Sequence, residues 1–289
     1  MAEQINVDEL LDFAPAFLID AFGVLVDHGG VRPGAREFLE RLDAQQTPWL
    51  VLTNDAARSP DDAAAWYREC GLPIANEKVL TSGSMVAVTL KERGLHSRDV
   101  LVLGPQASKQ LLIDAGVSVL GGANGSYDDK SPFDVLVVCD EMGFSFLETL
   151  NVVLSELMKK AALGALPPCF VANPDLIYPA GDGNFALAAG SVASLIEAGV
   201  NVHHDVGNFF EPLGKPAAPI FKEALRRLGV NDAVMLGDTL HTDVAGAKAA
   251  GLKAVLVGKT LEQLPSSLKE ARRPDALIVD LRSIEPDKT

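Results

Sequence analysis

The chain alternates short apolar runs with segments in which apolar residues recur every three or four positions. Ala16 to Ile19 reads as a buried strand. Ala35 to Ala44 carries Phe38, Leu39 and Leu42 at helical spacing. Trp49 to Leu52 reads as a strand that runs out into Thr53-Asn54. Ser59 to Cys70 predicts a helix, with Ser59 as N-cap ahead of Pro60 in the first turn. The C-terminal part repeats the alternation. A helix is expected over Ala217 to Leu228, a strand over Ala233 to Leu236, a helix over Thr242 to Ala250, then strands over Ala254 to Val257 and Ala276 to Val279. Such alternation means parallel strands joined by crossover helices, an α/β fold with a doubly wound sheet.

The middle of the chain holds an alternation of its own. Strands are expected at Val100 to Leu103, Val135 to Val138 and Phe170 to Val171, and helices at Pro105 to Ala115 and Ser145 to Lys160. Gly121 to Ser126 and Gly181 to Asn184 are loop-like glycine clusters. A stretch of this length can bury a small core, so residues 82–208 read as an inserted α/β domain within a main domain of 1–81 and 209–289. The tail from Pro286 to Thr289 is expected to fray.

Composition narrows the options. The 289 residues are 48% apolar and 22% charged, as expected for a globular protein with a substantial core. The net charge of −14 opposes nucleic-acid binding. It also means that an anionic substrate must be met by local cations, a metal or helix N-termini. Cys70, Cys139 and Cys169 form no paired pattern, and the last two sit in apolar runs as small buried hydrophobes. The N-terminal residues carry acids where a signal peptide needs bases, and no apolar segment approaches the ~20 residues needed to span a bilayer. A cytoplasmic protein without membrane association is the expectation.

In an open parallel sheet, ligands gather at the carboxyl ends of the strands. Asp20 follows the first predicted strand and Thr53-Asn54 the second. Asp238 follows Val234 to Gly237, Asp243 lies a turn further, and Lys215 sits in Gly214-Lys215-Pro216 ahead of a helix. Each alone has an ordinary reading as a cap, turn or loop. Their order and spacing give them joint roles. Asp20 can attack phosphorus and form an aspartyl-phosphate. Asp20 and Asp238 can share a Mg²⁺. Thr53 can donate to a phosphoryl oxygen, Lys215 can offset the negative charge, and Asp243 can orient Lys215 or the metal's waters.

These stretches, Asp20-Ala21-Phe22-Gly23-Val24, Thr53-Asn54, Gly214-Lys215-Pro216 and Gly237-Asp238 through Thr242-Asp243, resemble the four motifs of the haloacid dehalogenase superfamily. The insertion between the second and third motifs, with Ala172-Asn173-Pro174-Asp175 inside it, is similar to the NagD and nitrophenyl-phosphatase branch. The resemblance implies a Rossmann-like core, an α/β cap that gates the pocket, Mg²⁺ dependence and hydrolysis of a small phosphorylated metabolite. It implies Asp20, the main-chain carbonyl of Phe22 and Asp238 as metal ligands. Thr53, Asn54, Lys215 and Asp175 would contact substrate or phosphate, with Asp175 at the mouth of the site. The branch also suggests a homodimer through the cap. Asp55 stands where a second Asn is usual.

Position 22 departs from the pattern. The family's phosphatases carry there an Asp that protonates the leaving oxygen and then deprotonates the hydrolytic water. Such a group is worth about 10²–10⁴ in rate, and a phenyl ring supplies none of it. Three readings follow. The first is a phosphatase restricted to leaving groups that need no proton, such as acyl or aryl phosphates, unless Asp27, His28, Asp55 or His241 supplies one. The second is a binding or regulatory protein that keeps the pocket without turnover. The third is carbon–halogen hydrolysis, since dehalogenases of the family carry an aromatic residue here but need no metal. His203-His204-Asp205 reads as a polar loop rather than a metal site, and Gly181-Asp182-Gly183-Asn184 as a connection rather than a dinucleotide fingerprint.

Overall fold

The computed structural model describes residues 2–123, 132–265 and 267–282. Residues 124–126 of the first glycine cluster and the tail at 286–289 lie outside them. The first half of the chain holds β1 (Glu3–Gln4), α1 (Val7–Leu11), β2 (Phe17–Ile19), β3 (Val26–Asp27), β4 (Gly30–Val31), α2 (Ala35–Ala44), β5 (Trp49–Thr53), α3 (Pro60–Glu69), β6 (Val79–Thr81), α4 (Ser82–Glu92), β7 (Val100–Leu103), α5 (Gln106–Asp114) and β8 (Val135–Val138). Then come α6 (Phe146–Ala162), β9 (Cys169–Val171), β10 (Ile177–Gly181), β11 (Asn184–Leu187), α7 (Ala189–Asn201), β12 (Phe210–Pro212), α8 (Ala218–Leu228), β13 (Val234–Gly237), α9 (Ala245–Ala249), β14 (Lys253–Val257) and β15 (Ala276–Ile278).

The chain divides into two compact units. One comprises residues 1–53, 60–80 and 215–289, and the other 54–59 and 81–214. The first is built on a seven-stranded sheet in the order β1-β15-β14-β13-β2-β5-β6. The pairs from β1 through β5 are parallel. Strands β2, β5 and β13 are buried throughout, which is why they read as continuous apolar runs rather than alternating ones. From β2 the chain winds outward to β5 and β6. It later resumes on the opposite side with β13, β14 and β15. The winding direction therefore reverses between β2 and β13, and such a switch point leaves a crevice at the strand carboxyl ends. Phe17 of β2 meets Phe38 of α2 edge-on, with ring centroids 5.7 Å apart, a contact worth about 0.5–1.5 kcal/mol beyond its buried area.

Helix α8 buries a charge. Glu223 accepts from Arg226 Nε at 2.6 Å and from Arg227 Nε at 2.9 Å. The bond from Arg226 holds its carboxyl below the usual carboxylate range, against the opposing pull of burial. A lowered native pKa means that the folded state binds fewer protons than the unfolded one as pH falls. The stabilisation is therefore complete above the unfolded value of about 4.3 and is lost as pH drops through the native value. Glu223→Gln is expected to cost about 1–3 kcal/mol at pH 7, and the deficit to shrink below about pH 4 in chemical denaturation curves.

The second unit holds a four-stranded sheet, β12-β9-β8-β7, parallel throughout. Its core sets Leu101, Leu136 and Val138 against Val153 and Leu157 of α6 and Val192 and Ile196 of α7. Residues 210–212 pair with β9 in this sheet, so the chain leaves the second unit after Gly214 rather than at the expected boundary before residue 209. The cluster at Gly181–Asn184 is the turn of an antiparallel hairpin, β10–β11, in which Asp182 takes φ of 51°. Two helices, α4 and α7, and the two strands of the hairpin extend the expected alternation in this stretch. Cys139 and Cys169 are buried free thiols, pushed up to about 12 by burial, as small apolar residues should be. Among the described residues no helix is long and apolar enough to cross a membrane.

Candidate active site

The site of the first unit stands at the switch point. Ile19 of β2 is in register with Leu236 of β13, and the Asp20 N–H donates to the Leu236 carbonyl at 2.8 Å. Asp20 and Asp238 thus leave adjacent strands one residue apart in level. After Asp20 the chain turns tightly. Val26 N–H donates to the Ala21 carbonyl and Gly23 N–H to the Val26 carbonyl, bonds that employ the carbonyls of Ala21 and Val26 and not that of Phe22. Gly23 is required twice over. Its φ is +88°, and a Cβ there would fall 2.1 Å from Asp238 Oδ2.

After β13 the expected helix over Thr242 to Ala250 starts with a widened turn over Leu240–Val244, in which Val244 and Ala245 N–H bond five residues back to Thr239 and Leu240. Turns of this type are rare and concentrate at functional sites. Here the turn brings Asp243 back over Gly237, where any Cβ would lie 2.2 Å from the Asp243 Cβ. Thr239 ties the two acids together. Its N–H donates to Asp243 Oδ2 at 3.1 Å and its hydroxyl to Asp238 Oδ1 at 2.8 Å. Sequence reasoning missed Thr239. The only signal was its place between two acids, one turn apart.

Lys215 is buried at the centre. Its Nζ lies 2.6 Å from Asp20 Oδ1 and 2.8 Å from Asp243 Oδ1. Asp20 Oδ1 also accepts from the Ala21 N–H at 2.8 Å. The Asp243 contact is an ion pair rather than a well-angled hydrogen bond, and Asp243 Oδ1 has no hydrogen-bond partner among the described residues. Burial pushes the Asp20 carboxyl well above the usual carboxylate range; Lys215 opposes this, while Asp243 and Asp238 add to it. Asp238 is raised likewise, by burial first and the charge of Asp243 second. For Lys215 burial would lower the pKa, but the charges of Asp20 and Asp243 outweigh it and hold it above the ordinary lysine value.

One oxygen from each of Asp20, Asp238 and Asp243 lies within 4.8 Å of the others. Three carboxylates and one ammonium leave two negative charges uncompensated in a buried space. That deficit, together with oxygen-only donors, fits a hard divalent cation. Thr53 is buried at the carboxyl end of β5, next to β2 in the sheet. The structure thus brings Lys215 into direct contact with Asp20 and Asp243, and places an Asp238 oxygen within 4.8 Å of the other two carboxylates. Asn54 and Asp175 belong to the second unit, where Asn54 Nδ2 donates to Asp175 Oδ2 at 3.0 Å and the Asn54 carbonyl accepts from Ser82 Oγ.

The four alternative proton carriers differ. Asp27 is tied to Arg32 at 3.1 Å and accepts from Gly29 N–H, and Asp55 is tied to Arg58 at 2.8 Å and accepts from the N–H groups of Ala57 and Arg58. His241 is exposed, and His28 is exposed with its ring against that of Phe22. His203 and Asp205 are exposed in the loop after α7, outside the acid cluster.

A parallel sheet with a carboxylate at the end of β2, a buried lysine and paired acids at the switch point is an arrangement suited to phosphoryl transfer. A family described as haloacid dehalogenase-like hydrolase matches residues 17–118, and one described as HAD-hydrolase-like matches residues 212–284. The chain is 30% identical over 246 residues to dihydroxyacetone phosphatase of Corynebacterium glutamicum, covering 84% of this chain and 80% of that one. A possible sugar phosphatase from Cytophaga hutchinsonii superposes with a TM-score of 0.82 at 28% identity, covering 99% of this chain and 100% of the other. Glycerol phosphate phosphatase from Mycobacterium tuberculosis, in complex with magnesium, superposes with a TM-score of 0.73 at 26% identity over 93% of this chain and 75% of that one. The chain belongs to the haloacid dehalogenase-like hydrolases, in the NagD-like branch of phosphatases, and is a hydrolase of the phosphoric monoester class.

Proposed function

We propose that this protein is a Mg²⁺-dependent phosphatase that hydrolyses a small phosphorylated metabolite through an aspartyl-phosphate at Asp20. The observation that carries the proposal is the meeting of Asp20, Asp238 and Asp243 around Lys215. Asp20, the main-chain carbonyl of Phe22 and Asp238 would hold the metal, which when bound neutralises charge and polarises phosphoryl oxygens. A carboxylate oxygen of Asp20 attacks phosphorus, and the bond to the leaving oxygen breaks. Because Phe22 has no proton to give, the leaving group departs as its oxyanion. The Thr53 hydroxyl donates to a phosphoryl oxygen, and Lys215 holds Asp20 in line while offsetting the charge that builds up. Water then attacks phosphorus, the bond to Asp20 breaks, phosphate is released and the water's proton passes to solvent. Asp243 fixes Lys215. Asn54 and Asp175, paired with each other in the inserted unit, are the substrate contacts that the family resemblance implies.

The names of the relatives, phosphatases of dihydroxyacetone phosphate and glycerol phosphate among them, support a small ester as substrate. They favour phosphoryl transfer over carbon–halogen hydrolysis. The same reading includes a homodimer through the inserted unit, whose hairpin exposes Ile177, Phe185 and Leu187; sedimentation of the purified protein at two concentrations reads this. The function itself is tested with 4-nitrophenyl phosphate, acetyl phosphate and several alkyl phosphates. Turnover should favour the first two, vanish with EDTA and return with Mg²⁺. Metal-independent release of halide from a 2-haloacid would overturn the proposal, as would phosphate-ester turnover indifferent to chelator.

A further inference from the structure

Phe22 is not merely an absent acid. Its backbone is pinned on both sides by the acid cluster: Asp20 is two residues before it, and Gly23 after it is packed against the Asp238 carboxylate. Ala21 is buried, yet Phe22 keeps 40% of its surface exposed. An aromatic ring beside a buried polar centre could have been folded under the sheet. Here it stands exposed on the turn that follows Asp20 instead.

The ring also has a partner. Its centroid lies 4.9 Å from that of His28, the planes at 72°, an edge-to-face pair. His28 sits in the turn between β3 and β4, which pair antiparallel. That turn is held by Gly29 N–H donating to Asp27 Oδ1 at 2.7 Å and by Asp27 Oδ2 pairing with Arg32 at 3.1 Å. Val26 at the foot of the hairpin is bonded to both Ala21 and Gly23. The two rings are therefore mounted on one braced piece of backbone, both open to solvent, next to the nucleophile.

We propose that Phe22 and His28 form an aromatic shelf for the leaving group, and that the substrate class is a small aromatic phosphate monoester. This rests on the phosphatase reading above. Two independent arguments meet in it. With no acid at position 22, the leaving oxygen must depart unprotonated. A phenol, with a pKa of about 10, does so far more readily than an alcohol, whose hydroxyl is close to that of water at about 15.7. An exposed ring pair then offers the face and edge that a planar leaving group can pack on, which an acyl or alkyl group cannot use as well. In the step itself the phosphorus–oxygen bond to the aryl group breaks, its electron pair stays on the aryl oxygen, and the phenolate takes its proton from water after release.

The experiment separates recognition from turnover. With Mg²⁺ present, binding of phenylphosphonate and methylphosphonate is measured by calorimetry on the full chain. Kinetic constants are measured for phenyl phosphate and acetyl phosphate on the same samples. Phenylphosphonate should bind about three- to tenfold more tightly than methylphosphonate. Phe22→Leu and His28→Ala should each remove most of that advantage. They should lower the phenyl-to-acetyl ratio of kcat/KM by a similar factor, through KM. Equal binding of the two phosphonates, or a ratio indifferent to both substitutions, would overturn the shelf while Asp20-dependent turnover of acetyl phosphate kept the phosphatase reading. A ring preference without turnover of any phosphate would support the shelf and overturn the phosphatase reading. Binding of neither phosphonate would overturn the shelf, and if no phosphate were turned over either, the phosphatase reading would fall with it.

Discussion

Asp20→Asn is expected to lower turnover of every phosphate ester by at least about 10⁴-fold, the scale on which removal of a covalent nucleophile registers. The amide keeps the shape of the carboxylate, so Ala21 N–H and Lys215 lose charge rather than geometry. What disappears is the attacking oxygen anion. The folded state should not suffer. Burial and the neighbouring Asp243 and Asp238 raise the Asp20 carboxyl, so the native state takes up a proton more readily than the unfolded state does. A group with a raised native pKa destabilises the fold increasingly as pH climbs from the unfolded value of about 3.9 through the native one. Removing its charge relieves that. In EDTA at pH 7, Asp20→Asn should therefore unfold at the same temperature as the parent or a higher one, the usual relation between a strained catalytic group and stability. A large activity loss with a lower melting temperature would instead mark Asp20 as a structural residue. Added Mg²⁺ should raise the parent's melting temperature more than the variant's, because one ligand has lost its charge.

The four-part site was legible because its residues fall where periodicity stops. Asp20, Thr53 and Asp238 each close an apolar run, and a sheet buried on both faces makes such ends conspicuous. Lys215 was visible as a cation that offsets the acids, with Asp243 able to orient it, but not as a buried group clasped by Asp20 and Asp243 at once. The reach of Asp243 depends on the widened turn at Leu240–Val244, where the sequence suggested a regular helix only from Thr242 on. Two helices of the inserted unit escaped notice for opposite failures of pattern. Helix α4, Ser-Gly-Ser-Met-Val-Ala-Val-Thr-Leu, is buried on nearly every side and so shows no polar stripe. Helix α7 is rich in Ala, Gly and Ser, which carry little periodic contrast. The hairpin β10–β11 exposes apolar residues on both strands and thereby lacks the alternation that marks a half-buried strand. The contact between Phe22 and His28 joins positions six apart across a turn and could be seen only in three dimensions.

Phe22→Asp is expected to raise kcat/KM for an alkyl phosphate such as glycerol 3-phosphate by about 10²–10⁴, the range a positioned general acid supplies. The substitution leaves the main-chain carbonyl of residue 22 in place, so the metal site should persist. It exchanges a half-exposed ring for a half-exposed carboxyl, so no charge is buried outright. The new acid would sit near Asp20 and Asp238, whose negative charges disfavour its ionised form and so favour the protonated state that donates to a leaving alkoxide. Loss of the edge-to-face contact with His28 should cost about 0.5–1.5 kcal/mol, too little to unfold the protein. The gain should depend on the leaving group. An alkoxide needs the proton and benefits most, whereas 4-nitrophenolate leaves without it and should gain far less, so the alkyl-to-aryl ratio is the measurement to make. A folded variant that hydrolyses 4-nitrophenyl phosphate in an Asp20-dependent way, yet shows no change in that ratio, would mean that the parent already has a proton donor and that the phenyl ring never limited it. A gain confined to alkyl esters would place the whole restriction of this site in one side chain, with nucleophile, lysine and acid pair otherwise complete.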